Sequence, residues 1–221
     1  MDEDESRLER TMRKLVQSKQ GWARSGRLLT GTSADHDAVR LPPGQRLVKN
    51  WPVLDLGVKP EVPRERWSLA VDGAVEAPQR LDWAAFQALP QREMVSDVHC
   101  VTAWSRYDNR WTGVATTDLL ALVRPAPEAR HVLFESYDGY TTNVTLEAFA
   151  AEDALLAHSW EGEPLTPDHG GPLRVVIPRY YFWKSAKWVK RITFSPVDRP
   201  GFWEVRGYHN VGDPWLEERY S

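Results

Sequence analysis

The chain is poor in cysteine: its 221 residues contain one, Cys100. A single cysteine excludes an intrachain disulfide, a four-cysteine iron–sulfur cluster and a Cys-x-x-Cys zinc or redox site. Cys100 is therefore an inert buried thiol, a nucleophile, or one soft ligand to a metal whose other ligands come from a cofactor. On residue type alone, the buried thiol is the commonest of the three.

Other absences narrow the class of protein. No apolar run approaches the roughly 20 residues needed to span a bilayer, so we expect no membrane span. The N-terminus, MDEDESRLER, is acidic where a secretory signal would be basic and then apolar. With its single cysteine, this predicts a cytoplasmic protein. The formal net charge of -3 gives no overall attraction to nucleic acid or membrane.

Hydrophobic and aromatic residues are plentiful. They make up 42% of the chain and include 11 tryptophans, which is ample for a packed core. Leu8, Met12, Leu15 and Val16 fall on one face of a helix predicted over residues 5–18. Residues 21–45 have the composition of an extended arm. We therefore expect an N-terminal helix and arm over residues 1–45, followed by one domain over residues 46–221.

Short strands with turn signals between them dominate the chain from Trp67 onward. Strands are predicted at residues 67–71, 93–101, 131–137, 141–146, 154–158 and 173–177, and short helices at 81–89, 118–123 and 147–150. Thr116 and Thr117 are expected to cap the second of these helices. Because the elements do not alternate as regular βαβ units, the pattern predicts an α+β fold of mixed sheets with short interspersed helices.

The segment around Cys100 has a composition suited to chemistry. Residues 95–113 read VSDVHCVTAWSRYDNRWTG, which surrounds the thiol with aromatic and basic side chains. His99, Arg106 and Arg110 offer positive charge that would favour a thiolate.

A second segment, residues 174–191, is basic and aromatic. It contains Arg174, Arg179, Lys184, Lys187, Lys190 and Arg191 and no acidic residue. These charges need an anion unless they form a solvated surface. Upstream, His169-Gly170-Gly171 is a place where backbone N–H groups can approach an anion, and the Arg174 guanidinium suits phosphate. Together these features indicate a pocket for a phosphorylated, planar ligand.

Four motifs now combine: HCVTAWS, FESYDG, DHGGPLRVVIP and KSAKWVKRITF. Their order and spacing over residues 49–208 resemble the molybdenum-cofactor domain of the sulfite oxidase family. The resemblance implies that family's molybdopterin-binding fold and a molybdenum-molybdopterin cofactor. It also implies that Cys100 is the protein's one thiolate on the metal, beside two sulfurs from the pterin dithiolene. One protein ligand then suffices, because the cofactor brings the rest.

The resemblance implies roles for further residues. His169 and Arg174 match contacts to the pterin phosphate. Other cofactor contacts are implied for Lys49, Asn50, Asp138, Ser185, Ala186 and Lys187. Tyr208 matches an active-site tyrosine whose hydroxyl would bond an oxyanion or a metal oxo group. Arg106 or Arg110 would draw in the substrate oxygen, beside a wall of Trp104, Trp111 and Trp183.

The implied activity is that of an oxidoreductase. It is a two-electron oxygen-atom transfer with a small S- or N-oxide or oxyanion as substrate. The molybdenum would cycle between Mo(VI) and Mo(IV). Lys49 stands where sulfite-oxidising members have an arginine, which argues against sulfite. Electrons would be exchanged with a separate haem or flavin protein, because the chain has no C-x-x-C-H or G-x-G-x-x-G motif.

Two other functions stay open on sequence alone. A cysteine hydrolase would use Cys100 as nucleophile and His169 as base. A binding module for single-stranded nucleic acid would use residues 174–191 as a charged stacking platform, although we expect no nucleic-acid partner.

Overall fold

A computed structural model describes residues 7–25 and 40–221. The helices are α1 Arg7–Ser25, α2 Trp83–Gln87, α3 Thr116–Val123 and α4 Leu146–Phe149. The strands are β1 Arg46–Leu47, β2 Ser68–Gly73, β3 Gln79–Asp82, β4 Arg92–Cys100, β5 Trp104–Ala115, β6 His131–Ser136, β7 Thr141–Thr145, β8 Leu155–Trp160, β9 Glu163–Pro164, β10 Arg174–Val176 and β11 Val189–Ser195. Short 3-10 turns cover Pro167–His169, Phe182–Lys184 and Glu204–Arg206. The predicted α+β fold with mixed sheets is confirmed.

The first sheet is built around β5. Its order is β1-β5-β8-β10, with β4 also paired to β5 and β9 to β8. β1 runs parallel to β5, and the other pairs are antiparallel. The β5–β8 register shifts between Thr112 and Gly113, where a Cβ on Gly113 would lie 2.1 Å from the carbonyl oxygen of Leu156. Glycine is required there because the two backbones approach so closely.

The second sheet has the order β3-β2-β11-β6-β7. β2 and β11 are parallel, while β6 and β7 form a hairpin across a turn at Asp138-Gly139. Apolar side chains of both sheets form one core cluster, with Leu156 and Val175 of the first sheet and Ile192 of the second among its members. This cluster joins the two sheets.

The other face of the first sheet carries a second core cluster. Successive strand residues point to opposite faces, so Leu155 and Val176 belong to this cluster while their neighbours belong to the first. Cys100 also belongs to it, as do Val16 and Ala23 of α1. The first sheet is thus covered on both sides, and the face with α1 is the face that carries the cysteine.

Two predictions about helices need correction. α1 ends at Ser25 instead of residue 18, and the side chain of Leu8 lies outside the described residues, as does most of the predicted arm. The predicted cap of α3 is wrong: Ala115 occupies the N-cap position without a side-chain hydrogen bond. The Thr116 hydroxyl instead donates to the carbonyl oxygen of Phe149, in the buried interior. Of the helices in the described ranges, none has the length and apolar character to cross a membrane.

Candidate active site

A cleft opens on the face of the first sheet that α1 covers. It encloses about 890 Å³ of free space, including its open mouth. Of the site residues predicted from sequence, those that line it are Cys100, Trp104, Asp138, His169, Arg174, Trp183, Ser185, Ala186, Lys187 and Tyr208. The fold therefore brings together residues that are more than 100 positions apart in the chain.

Cys100 enters the cleft at the end of β4. Its side chain is 6% exposed, and its Sγ lies 3.2 Å from the hydroxyl of Thr102. Burial raises the pKa of the thiol. The neighbouring His99 does not assist it, because its Nδ1 contacts Ser105 Oγ at 2.8 Å and burial lowers the pKa of the imidazole to about 4. The thiol is therefore not activated as a free nucleophile, whereas binding to a metal would displace its proton.

Arg174 is a buried cation without an acidic partner in the described part of the chain. Its guanidinium is held by two carbonyl oxygens, with Nη1 2.8 Å from His169 and Nη2 2.9 Å from Ser185. It also lies 4.1 Å from the ring centroid of Phe182. Burial lowers the pKa of Arg174 to about 9. A charge held away from water in this way suits an anionic ligand in the cleft.

Lys187 adds a second cation. Its Nζ donates to the carbonyl oxygen of Asp168 at 2.9 Å. Burial, followed by the positive charge of Arg174, lowers the pKa of Lys187 to about 7. Gly170, at φ +99°, packs against it, since a Cβ there would lie 2.9 Å from Lys187 Cβ.

The predicted anion contact by the two glycines is wrong. The Gly170 N–H donates to the carbonyl oxygen of Pro167 at 3.2 Å, and the Gly171 N–H to that of Thr166 at 2.9 Å. Both N–H groups are therefore used within their own turn. The role of Gly170 is to allow close packing against Lys187.

His169 provides a flat surface in the cleft. Its ring stacks on Trp51 with centroids 3.9 Å apart and planes 17° from parallel. Burial lowers the pKa of His169, and the charges of Arg174 and Lys187 lower it further. The imidazole is therefore neutral at neutral pH.

Three other residues predicted to contact the cofactor, Ser185, Ala186 and Asp138, accept hydrogen bonds from backbone N–H groups. Ser185 Oγ accepts a hydrogen bond from the Ile177 N–H at 3.0 Å, and the Ala186 carbonyl accepts one from Val175. Asp138 Oδ1 accepts from the Tyr140 N–H at 3.0 Å, and burial raises the pKa of this carboxyl. These contacts fix the backbone that forms the cleft wall.

Tyr208 is buried among aromatic rings. Its ring lies 5.1 Å from Trp183, 4.8 Å from Trp203 and 5.3 Å from Tyr220, measured between centroids. Burial raises the pKa of Tyr208 well above its ordinary value. The hydroxyl is thus a neutral hydrogen-bond donor over the physiological range.

Five other predicted residues, Lys49, Asn50, Arg106, Arg110 and Trp111, lie away from the cleft lining. Lys49 and Asn50 are exposed just before Trp51. Arg106 contacts Asn109 Oδ1, Glu161 and the Lys49 carbonyl, and its guanidinium stands 4.6 Å from the ring of Trp160. Arg110 is exposed, and Trp111 is buried beside Trp51. Trp104 and Trp183 do line the cleft.

The basic segment 174–191 does not act as one surface. Four of its charges have acidic partners: Arg179 with Asp153, Lys184 with Glu204, Lys190 with Glu135 and Arg191 with Asp72. The expectation that all six charges need an anion was therefore wrong. Arg174 and Lys187 are the members that line the cleft. The pairing also removes the continuous platform that a nucleic-acid site would use.

Sequence reasoning missed several cleft residues. Among them are Lys19 of α1, the segment 51–56 and Trp203. Lys19 could have been found from sequence, because it interrupts an apolar helix face between Val16 and Ala23. The others lie in irregular segments without periodicity.

Comparison with known protein families and curated proteins agrees with this geometry. Residues 56–203 match the family described as oxidoreductase molybdopterin binding domain. The chain is 45% identical over 183 residues to "Uncharacterized oxidoreductase YuiH" of Bacillus subtilis (strain 168), a match that covers 82% of this chain and 92% of that protein. It is 32% identical over 130 residues to a nitrate reductase [NADPH] of Fusarium oxysporum, which covers 50% of this chain and 14% of that one.

Two further similarities are more distant. A putative protein-methionine-sulfoxide reductase subunit, YedZ1 of Azospira oryzae, is 28% identical over 152 residues, covering 69% of this chain and 58% of the other. Among solved structures, the sulfane dehydrogenase SoxCD from Paracoccus pantotrophus superimposes with a TM-score of 0.58 at 21% identity, covering 63% of this chain and 40% of that chain. The structural match concerns the fold.

Proposed function

Because this chain belongs to the oxidoreductase molybdopterin-binding domain family, as the sulfite oxidase-like resemblance predicted, we propose that it transfers an oxygen atom to or from a small S-oxide, N-oxide or oxyanion. Members of this family are oxidoreductases that bind a molybdenum-molybdopterin cofactor, and this chain is one of them. When bound, the cofactor supplies two-electron oxygen-atom transfer. The protein supplies binding, orientation and electrostatics.

One observation carries the proposal: the Cys100 sulfur lines the same cleft as Arg174 and Lys187, which have no acidic partner among the described residues. The Cys100 thiol is the donor type that suits a soft metal site. Arg174 and Lys187 suit the phosphate of a pterin cofactor, because their charges are otherwise uncompensated. The stacked His169 and Trp51 rings offer a flat surface for a planar ring. The donor set therefore fits a molybdenum-molybdopterin group, with Cys100 as the protein's ligand.

The surrounding residues would favour the reaction in two ways. Trp104, Trp183 and Trp203 form an apolar wall that excludes water and strengthens the electrostatic interactions inside. The neutral Tyr208 hydroxyl can donate a hydrogen bond to a substrate oxygen as negative charge develops on it. The role given to Arg106 stays a prediction, since its guanidinium is engaged outside the cleft lining.

We also propose that electrons are exchanged with a separate haem or flavin protein. The sequence holds one cysteine and neither a C-x-x-C-H nor a G-x-G-x-x-G motif. The proposal of a cytoplasmic location rests on that single unpaired cysteine.

Metal analysis tests the ligand role of Cys100. The protein and its Cys100→Ser variant are purified from a molybdenum-replete host, and molybdenum and pterin are measured per mole of protein. We expect both in the wild type and a loss of molybdenum in the variant. Val95→Ser is a matched control, because Val95 lies on the same strand and is exposed. Full molybdenum in the Cys100→Ser variant would contradict the ligand role.

Turnover tests the reaction class. The loaded enzyme is supplied with an artificial one-electron donor and a panel of S-oxides, N-oxides and oxyanions, and the deoxygenated product is identified. We expect loss of one oxygen from at least one class, and no product from the Cys100→Ser variant. Product formation by the variant at the wild-type rate would refute the proposal.

A further inference from the structure

Helix α1 carries a lysine in the middle of its buried face. Lys19 is 9% exposed, and Val16 and Ala23, one turn away on either side, are 8% and 2% exposed. Residues three and four apart share a helix face, so an apolar residue would be expected at position 19. Burial of an ammonium costs free energy unless an anion or an acceptor replaces the lost water.

The Lys19 ammonium has no such partner in residues 7–25 and 40–221, where neither a hydrogen bond nor an ion pair joins it. Burial lowers the pKa of Lys19, and the charges of Asp55 and Cys100 oppose that effect. Asp55 has its ion-pair contact with Lys59 instead, at 3.8 Å. The Lys19 side chain lines the cleft. Its unsatisfied donors are therefore available to whatever the cleft binds.

Lys19 lines the same cleft as Cys100, the proposed metal ligand. The charges of Lys19 and Arg219 both act on the Cys100 thiol. Arg219 is already engaged, with Nη1 2.7 Å from the Val101 carbonyl and Nη2 3.3 Å from that of Pro43. Arg219 does not line the cleft, whereas Lys19 does.

Contacts with the C-terminal segment fix the position of α1. Gln20 Nε2 donates to the Arg206 carbonyl at 2.6 Å, and the Tyr220 hydroxyl donates to the Gln20 carbonyl at 3.3 Å. Tyr220 in turn packs on Tyr208 of the cleft. The helix lies outside residues 56–203, which match the family. Lys19 therefore lies outside the residues that match the family.

We propose that Lys19 binds a negatively charged substrate oxygen beside Cys100, so that the site selects an oxyanion over an uncharged S-oxide or N-oxide. The inference rests on the proposed function, because it takes Cys100 as the ligand that places the metal in this part of the cleft. Arg174 and Lys187 serve the cofactor phosphate, which leaves Lys19 for the substrate. A charge-assisted hydrogen bond from a desolvated ammonium favours an anion strongly over a neutral acceptor.

Equilibrium anion binding to the loaded enzyme tests this. Sulfate and nitrate are titrated into the wild-type holoenzyme and into the Lys19→Met, Lys19→Arg and Lys14→Met variants, with the visible absorption of the metal centre as the readout. Lys14 is exposed on the same helix and is the matched control. We expect the Kd for the bound anion to rise roughly 30-fold in Lys19→Met, the loss typical of a desolvated charged contact. Lys19→Arg and Lys14→Met should bind within a few-fold of the wild type.

Molybdenum and pterin content separates the two proposals. We expect Lys19→Met to hold as much of both as the wild type, and to unfold at a higher temperature, because an unpaired buried charge has been removed. An equal Kd in Lys19→Met, a loss of its cofactor, or no saturable binding of either anion by the wild type would overturn the role of Lys19. A wild-type protein without molybdenum would overturn the proposed function itself.

Discussion

Replacement of Lys184 by methionine is predicted to destabilise the protein by about 3–5 kcal/mol, the cost of leaving a buried charge without its partner. Lys184 Nζ lies 2.6 Å from Glu204 Oε1, and the two side chains are 0% and 1% exposed. Lys184 also donates to the carbonyl and to Oδ1 of Asn143, at 2.9 and 3.0 Å. Without the ammonium, the Glu204 carboxylate keeps two neutral donors, Thr142 and Trp183, and loses its counter-charge.

Thermal and urea unfolding measure this effect. In a chain of this size, 1 kcal/mol corresponds to about 2–4 °C in Tm, so a fall of roughly 6–20 °C is expected. Glu204→Gln alone should also destabilise, because it leaves the ammonium unpaired. The double variant Lys184→Met/Glu204→Gln removes both charges, and its loss should be smaller than the sum of the two single losses. A Lys184→Met variant within about 1 kcal/mol of the wild type, or strictly additive losses, would refute the reasoning.

The remaining predictions concern packing, the cofactor and pH. Gly113→Ala should destabilise by about 1–3 kcal/mol or prevent folding, because its Cβ would overlap the Leu156 carbonyl. Gly21→Ala, with open space around its Cβ in α1, should instead stabilise the protein by about 0.5–1 kcal/mol. Chemical unfolding measures both variants, and the same change in unfolding free energy for the two would contradict both predictions. Arg174→Lys keeps the charge but cannot hold both carbonyls, so we expect lower molybdenum and pterin content, and unchanged content would count against the site. Burial lowers the pKa of His158 below 6.5, so the unfolded chain binds the proton more readily than the folded protein. The unfolding free energy should therefore fall as the pH drops through 6.5. In His158→Gln this fall should be less steep.

Sequence patterns located the strand that carries Cys100 and the strand that carries Arg174. β4 ends at Cys100, one residue before the end predicted at residue 101, and β10 lies within the predicted residues 173–177. The pattern did not predict β5 or β11. β5 contains Arg106, Asp108 and Arg110 among its residues and departs from regular register next to Gly113, so its apolar alternation is weak.

The charge pairs and the cleft wall depend on contacts that are distant in sequence. Lys184 and Glu204 are 20 positions apart, and Asp72 reaches Arg191 only because β2 and β11 are parallel neighbours. Local sequence could therefore not show which cations of the basic segment stay unpaired. Lys19 joins the cleft because α1 packs on the outer face of the first sheet, a tertiary contact that helix periodicity does not specify.

The central claim is that the Cys100 sulfur binds the molybdenum of the cofactor. X-ray absorption at the molybdenum edge counts the sulfur neighbours of the metal in the wild type and in Cys100→Ser. We predict one sulfur fewer in any molybdenum that the variant retains. The same sulfur count in both proteins, at full occupancy, would contradict the claim.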